Sequence, residues 1–362
     1  MTSHASAEQV HKQIASVLAA WGMPADLIAT TVEVMVETDL MGVDSHGVSM
    51  LMLYEEKLKE GRLRIKERPL IVRQTAVTAL IDAGGGLGHP ASVMGMRLAV
   101  EKAAEAGVAV VSVTNSHHFG AAGYYARLAL PRGLIGMVAS STRGITVVPT
   151  GGVEPVLGTN PLAFAAPTRR NPPFVLDMAT STVAAGKVKV YGFQGKPLPD
   201  GWVVDAEGRA VTDANFAYET LFGRDRGGLT PIGGTPELAS HKGYGLGLMV
   251  HILGGVLAAA SFTPLRKGTE AADEPENIGH FFMAIDPNTL RPDGRFEDDL
   301  DDVIDRLRAT VPADPGKPVL IAGDPEAAKR SQRLKDGIPI PDALERQLRA
   351  VCDRAGVPYM LG

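Results

Sequence analysis

Five short polar clusters hold most of the side chains in this sequence that could do chemistry. They are Asp44-Ser45-His46-Gly47, Asn115-Ser116-His117-His118-Phe119-Gly120, Gly158-Thr159-Asn160-Pro161, Asp177-Met178-Ala179-Thr180-Ser181 and His241-Lys242-Gly243-Tyr244-Gly245. Each falls in a glycine-rich stretch or at a predicted strand end, the places from which active sites are usually built. Imidazole, with an unperturbed pKa near ~6.5, exchanges protons at neutral pH; carboxylates, lysine and hydroxyls bind and orient. Taken singly, each cluster also has a plain structural reading. Ser45 reads as a turn residue, His118 as a satisfied core histidine, Asp177 as a helix cap and Lys242 as a solvated flank.

Other patterns carry less. Gly86-Leu87-Gly88-His89-Pro90-Ala91 follows a strand and precedes a helix, as a dinucleotide fingerprint does. A Rossmann unit then needs an acid at the end of the next strand, whereas Val108–Val113 runs into Thr114-Asn115-Ser116, so a tight turn without a nucleotide is the better reading. Asp298, Asp299, Asp301, Asp302 and Asp305 lack EF-hand spacing, and Phe296, Leu300, Val303, Ile304 and Leu307 recur at helical spacing. That pattern is an amphipathic helix with an acidic solvent face. His117 and His118 have no carboxylate companion, and no metal site is expected. Adjacent side chains diverge on a regular element, so Ser45-His46 is not read as a self-contained nucleophile–base pair.

The elements that must position these groups are helical at both ends and strand-rich between. Ser6 and Gln9 make a capping-box pattern ahead of Val10–Trp21. Pro24 opens a second helix with Ile28, Val32, Met35 and Val36 on one face, and Met50–Glu60 makes a third that stops at Gly61. Strands are expected at Val77–Asp82, Val108–Val113, Leu134–Ser141, Leu162–Ala166, Phe174–Met178 and His280–Ile285, with a helix over Ala91–Ala106. Helices return at Phe296–Thr310, Pro325–Asp336 and Asp342–Ala355. The expected division is a helical unit from 1–73 plus 290–362 around a central cofactor- and substrate-binding region, 74–289.

Composition narrows the function. The 362 residues carry 36 Lys+Arg against 41 Asp+Glu, a net charge of −5, and no basic cluster that points to nucleic acid. One cysteine, Cys352, excludes an intrachain disulfide framework and any cysteine-based metal centre. The 41 glycines and 25 prolines, with only 5% aromatics, imply many tight turns and an aliphatic core. Gly243–Leu265 is long enough to span a bilayer, yet it holds five glycines, His251 and Pro264, so it reads as a buried helix. With no secretory signal apparent at Met1–Ala7, the expected location is the cytoplasm.

The order and spacing of the clusters resemble the malate/L-lactate dehydrogenase-like family of NAD(P)-dependent oxidoreductases. That family includes ureidoglycolate, sulfolactate and malate dehydrogenases, diketogulonate reductase and piperideine-carboxylate reductase. The likeness runs from Thr38-Asp39-Leu40-Met41-Gly42-Val43-Asp44-Ser45-His46-Gly47-Val48 through Ser116–Gly120, Gly158–Pro161, Leu176–Ser181, His241–Leu246 and Gly279-His280-Phe281-Phe282. It fades at Asp336-Gly337-Ile338.

This resemblance implies an α/β fold that is not a Rossmann fold, with a mixed-sheet core and a helical unit formed by both termini. It also implies a homodimer, NAD or NADP as cofactor, and hydride transfer to or from a small 2-hydroxy/2-oxo acid. A cyclic-ketimine reductase and a non-catalytic nucleotide-binding homologue are the alternatives. By the same resemblance the acid–base group is His118 or His46, the latter through Ser45. Cofactor contacts fall to Thr142, Asp177, Met178, Ala179, Thr180, Ser181 and Lys242. A late loop, Gly323-Asp324-Pro325, would close over the cofactor, although the family more often has Pro-Gly-Glu there. Thr159 and Asn160 fall on the substrate side. One departure stands out: the family usually reads Ser-His-Gly-x-x-Arg, with the arginine on the substrate carboxylate, and this chain has Met50. Arg143 is the nearest candidate to replace it.

Overall fold

The computed structural model describes residues 2–266 and 269–362. Its first strand, β1 (Thr2–Ala5), leads into α1 (Ala7–Ala20), whose capping box is complete. Gln9 N donates to Ser6 Oγ at 3.2 Å, and Ser6 N donates to Gln9 Oε1 at 2.8 Å. Helices α2 (Ala25–Leu40) and α3 (Leu51–Lys59) follow, then the antiparallel strands β2 (Leu70–Gln74) and β3 (Thr78–Asp82). Helix α4 (Gly88–Ala106) crosses to β4 (Val108–Ser116), which pairs parallel with β3. After α5 (Ala122–Arg127) come β5 (Ile135–Ser140), β6 (Leu162–Ala166) and β7 (Phe174–Met178).

A small lobe then packs α6 (Ala185–Phe193) and α7 (Ala214–Gly223) against the short pair β8 (Val203–Val204) and β9 (Gly228–Leu229), around a core that includes Val188, Val203, Ala217 and Leu229. The chain re-enters the main body through α8 (Ser240–His251), a π-helical turn at Ile252–Val256 and α9 (Thr263–Arg266). The last strand of the main sheet is β10 (Ile278–Ile285). It is followed by α10 (Pro287–Leu290), α11 (Phe296–Arg308), α12 (Asp324–Asp336), β11 (Ile338–Pro341) and α13 (Asp342–Ala355).

The main sheet has seven strands in the order β2-β3-β4-β10-β5-β6-β7. Only β3 and β4 pair in parallel, so the sheet is mixed and not the parallel sheet of a Rossmann fold. Its alternation puts Ala109, Val111, Val113, Val138 and Phe282 on the face covered by α4 and α5. Phe281, Ala139 and Val250 form the opposite face with α8 and the π turn. Helix α4 approaches closely because Gly95 carries no side chain; a Cβ there would lie 2.8 Å from the Phe282 ring.

The termini meet in a separate apolar cluster. Strands β1 and β11 pair antiparallel, and Val10, Ile14, Met35, Leu51, Tyr54, Leu348 and Val351 bury together. Arg354 grips Glu55 with two bonds (2.8 and 2.6 Å), and Arg330 grips Glu37 likewise (2.7 and 2.9 Å), joining the C-terminal helices to α3 and α2.

Two local expectations change. Asp301 faces inward, not to solvent. Its carboxylate accepts from the backbone N–H groups of Arg169, Arg170 and Asn171 at 2.8–2.9 Å, bonds that hold its pKa down to about 2 against the cost of burial; Asp302 and Asp305 do face solvent, and Val303 and Leu307 of the apolar stripe are exposed as well. The apolar run Gly243–Leu265 is broken by the π turn, whose Gly254 abuts the Ser140 backbone. No helix among the described residues is long and apolar enough to cross a membrane.

Candidate active site

The pairing directions bring three of the five polar clusters to one edge of the sheet. Strands β4, β5 and β7 end there, and β6 and β10 begin there. His117–Gly120, Ser140–Gly144, Thr159, Asp177–Ala179 and Glu276 are therefore neighbours in space. The helical unit faces them with Thr38, Met41, Ser45, His46, Leu53, Lys57 and Arg62. Between the two lies a cavity of about 700 Å³, closed on a third side by Gly323 and Glu326. That volume is typical of sites for cofactors and small substrates.

The turn that carries Ser45 and His46 is pinned from beneath. Asp39, 1% exposed at the end of α2, accepts from Val48 N at 2.8 Å and leaves no room for a side chain at position 47. A Cβ on Gly47 would lie 1.8 Å from the Asp39 carboxylate. Burial pushes the Asp39 carboxyl up to about 8. Arg333 clamps the same turn through Asp44, with Nη2 donating to Oδ2 at 3.0 Å. In this irregular turn the adjacent side chains do meet: Ser45 Oγ is 2.7 Å from His46 Nδ1. The expectation that they diverge fails because it assumed a regular element.

His46 and His118 face one another with ring centroids 5.3 Å apart. Tyr54, fully buried on α3, places its Oη 2.8 Å from His118 Nδ1 and 3.5 Å from His89 Nε2. Gly120 N–H also faces His118 Nδ1 at 3.4 Å, so Nε2 is the nitrogen left for a ligand. Burial pushes the pKa of both rings down, that of His118 furthest, which keeps them neutral at pH 7. His280 is a structural histidine: Ser116 Oγ lies 2.9 Å from Nε2 and Ser140 Oγ 2.8 Å from Nδ1, and the ring stacks on Phe119.

At the other end, Asp177 is reachable from the cavity but enclosed by protein. This enclosure pushes its carboxyl up to about 6, although Oδ2 accepts from Gly123 N at 2.7 Å. Thr142, Arg143, Thr159, Met178, Ala179 and Gly323 share the wall. Arg143 binds Glu270 through Nη2, while its buried Nη1 finds no partner among the described residues. Arg127 also lines the cavity; its short contact is with Met41 Sδ at 3.8 Å, and no carboxylate among the described residues lies within ion-pair reach.

The remaining expected site residues lie outside this wall. Met50 packs against the helical core. Asn160, at φ 34°, ties Thr142 Oγ1 (3.3 Å) to the Gly247 carbonyl (3.1 Å). Thr180 Oγ1 donates to the Thr159 and Asn160 carbonyls, and Ser181 Oγ to that of Val183. Asp324 pairs with Arg308 at 2.8 Å, and Pro325 lies in the first turn of α12. Lys242 is exposed on α8. The Gly86–Ala91 turn is likewise outside; a Cβ on Gly88 would meet the His117 carbonyl at 2.4 Å, so tight packing explains that glycine. Among the described residues no three or more His, Cys, Asp or Glu side chains are grouped so as to hold a metal ion.

A mixed α/β fold whose sheet edge and terminal helices enclose two facing histidines, an unpaired guanidinium nitrogen and a carboxylate defines an enzyme of small-molecule chemistry. The family model for malate/L-lactate dehydrogenase matches residues 5–349, and the chain belongs to that family of hydroxy-acid dehydrogenases. It is 38% identical to a malate dehydrogenase of Pyrococcus horikoshii over 345 residues, 95% of this chain and 93% of that one. The structure of malate dehydrogenase from Entamoeba histolytica superimposes with a TM-score of 0.92 at 30% identity, covering 99% of both chains. That of delta1-piperideine-2-carboxylate reductase from Pseudomonas syringae pvar. tomato gives 0.82 at 27% identity, covering 97% of this chain and all of that one.

Sequence reasoning missed Tyr54, Lys57, Arg62, Arg127 and Glu276. For Tyr54 and Lys57 a signal existed: they stand three residues apart on the helix read from Met50, directly after the His46 cluster.

Proposed function

We propose that this dehydrogenase moves a hydride between NAD or NADP and a small 2-hydroxy/2-oxo acid, with His118 as the acid–base group. One observation carries the reading. A single cavity holds two neutral histidines, one oriented by Tyr54, and a buried guanidinium nitrogen with no partner among the described residues. The cavity also suits the cofactor: it is roomy, Asp177 stands in its wall, and Arg127 offers positive charge that no carboxylate among the described residues balances at short range. Asp177, Met178, Ala179, Thr142, Thr159 and Gly323 would hold it.

When bound, the nicotinamide supplies the hydride acceptor or donor. The chain does the rest. In oxidation the His118 ring carries its proton on Nδ1, donated to Tyr54 Oη, and the bare Nε2 takes the substrate hydroxyl proton; in reduction the imidazolium returns it from Nε2. Arg143 Nη1 takes the carboxylate that Met50 cannot. A charge-assisted bond of that kind contributes about 1.5–3 kcal/mol. His46, with Ser45 on its Nδ1, is the second imidazole at the reacting carbon. The likeness to a piperideine-carboxylate reductase supports a second reading, in which the same groups serve reduction of a cyclic C=N bond.

The exposed apolar side chains Leu248, Met249, Ile252, Val256 and Leu257 along α8 and the π turn support a homodimer, and the lone buried Cys352 fits a cytoplasmic location. The test mixes the protein with NADH or NADPH and a panel of 2-oxo acids and follows the absorbance of the reduced nicotinamide. Turnover with at least one acid is expected, and His118→Ala removes it while coenzyme affinity stays nearly intact. Failure with every acid refutes the 2-oxo acid reading; a dead His46→Ala beside a normal His118→Ala moves the proton to His46.

A further inference from the structure

The end of the cavity where α3 meets the sheet is richer in polar groups than binding one carboxylate requires. Lys57 and Arg62 reach it from α3 and the turn beyond, His117 from the end of β4, Arg143 from beyond β5, and Glu276 from the residues leading into β10. The cations are matched at short range. Arg62 Nη2 lies 3.2 Å from Glu270 Oε2, Arg143 shares that carboxylate, and Lys57 Nζ holds Glu56 at 2.9 Å and Glu60 at 3.0 Å.

Glu276 is matched less well. It is 7% exposed, burial pushes its carboxyl pKa up against the more distant charges of Arg143 and Lys57, and its nearest cation among the described residues is Arg62, at 3.7 Å. His117, beside Lys57, is 1% exposed, and neither ring nitrogen finds a partner among the described residues. Burial pushes that ring's pKa down to about 3, so it is neutral and offers one N–H and one lone pair. Buried polar groups left in this state are costly unless a ligand pairs with them.

With the substrate carboxylate on Arg143, a second anion would face the Glu276 carboxylate in a poorly hydrated wall, where like charges repel strongly. A hydroxyl or carboxamide suits the same wall: its O–H or N–H donates to Glu276, and its oxygen accepts from the His117 N–H. We propose that Glu276 and His117 form a second substrate subsite that selects acids with one carboxylate and an uncharged, hydrogen-bond-donating tail. Glu276 is its specificity-determining residue. The assignment rests on the 2-oxo acid reading above and names the substrate class within it.

The experiment compares four 2-oxo acids of similar length with the full-length protein and whichever of NADH and NADPH it uses. They are 2-oxobutanoate, 4-hydroxy-2-oxobutanoate, 2-oxosuccinamate and oxaloacetate. The hydroxyl and carboxamide substrates are expected to show kcat/KM at least about tenfold above oxaloacetate, mostly through KM. Glu276→Gln should erase that preference, by weakening the donor-tailed acids and admitting the dianion. Glu276→Asp, which keeps the charge, should retain it, and thermal melts of both variants check that they fold. Oxaloacetate preferred by the wild type, or a preference unchanged in Glu276→Gln, overturns the subsite alone. Reduction of none of the four while another 2-oxo acid is turned over overturns the subsite alone, whereas failure with the whole panel removes the 2-oxo acid reading and the subsite with it.

Discussion

Replacing Tyr54 by Phe removes one oxygen from the centre of the site and leaves the ring packing in place. That oxygen is 2.8 Å from His118 Nδ1 and 3.5 Å from His89 Nε2, on a residue with no solvent exposure. Without it, the neighbour of His118 Nδ1 is Gly120 N–H at 3.4 Å, a donor that favours a bare Nδ1 and so places the neutral ring's proton on Nε2, where it blocks uptake of the substrate proton. The loss falls on the step in which His118 takes the substrate proton. The Nδ1–H of the imidazolium then has no acceptor, and a hydrogen bond to a charged group is worth about 1.5–3 kcal/mol. At about 1.4 kcal/mol per decade, kcat/KM for alcohol oxidation should drop roughly ten- to hundredfold. Coenzyme KM should hold, because the Asp177 end of the cavity is untouched. The pH profile gives the sharper check. Burial already pushes the His118 pKa down, and losing the acceptor of its cationic form pushes it down further. The acidic limb of kcat/KM should therefore move to lower pH in Tyr54→Phe. A variant that folds, turns over within twofold of wild type and keeps its acidic limb would refute the idea that Tyr54 orients the base.

Other outcomes follow from the same geometry. Arg143→Ala should raise KM for 2-oxo acids about ten- to hundredfold with a smaller change in kcat, as steady-state kinetics will show. Gly47→Ala forces a methyl onto the Asp39 carboxyl; destabilisation of about 1–3 kcal/mol in denaturant melts, with turnover impaired through the displaced His46, is expected. Asp39 also predicts a pH dependence. Its folded pKa near 8 stands above the unfolded 3.8, so between these values the folded state holds a proton that the unfolded state has lost. Its stabilising contribution is complete below about pH 4 and lost as pH rises through 8, with a slope approaching ~1.4 kcal/mol per pH unit. Asp39→Asn should flatten the decline in melting temperature between pH 5 and 9, and an unchanged slope would assign that decline to other groups.

Long, strongly patterned elements were legible in the sequence. The strands Leu162–Ala166 and Phe174–Met178 and the helix Asp342–Ala355 fall where apolar periodicity and flanking breaks put them. Strands that lack such patterning were not. Thr2–Ala5 is polar and Ile338–Pro341 carries two prolines; each is a strand because the other, far away in sequence, pairs with it. Leu70–Gln74 is an exposed edge, so no buried face marks it. The small lobe packed by Val188, Val203 and Leu229 arises from short elements whose signal is tertiary. In the site, glycine-rich flanks pointed to His46, His118 and Asp177, whereas Tyr54 and Glu276 come from stretches that read as ordinary helix and loop. Thr180 and Ser181 sit in the right cluster but spend their hydroxyls on backbone carbonyls.

The position of Met50 joins these threads. On this chain it packs into the helical core beside α3, while the neighbouring Leu53 and Lys57 face the cavity. A carboxylate anchor therefore has to come from the sheet side, and the guanidinium there with a buried nitrogen lacking a partner among the described residues is Arg143. Moving the anchor from the helical unit to the sheet edge also moves the bound acid toward Glu276, because Arg62 contacts Glu276 and shares Glu270 with Arg143. In this arrangement the missing arginine and the buried glutamate act in one direction: both turn the site away from acids with two negative ends. Restoring the cation tests the coupling. Met50→Arg should improve turnover of oxaloacetate only when paired with Glu276→Gln, because the single variant still presents the glutamate to the second carboxylate. Equal gains in the single and double variants would separate the two positions and return the carboxylate anchor to the helical unit.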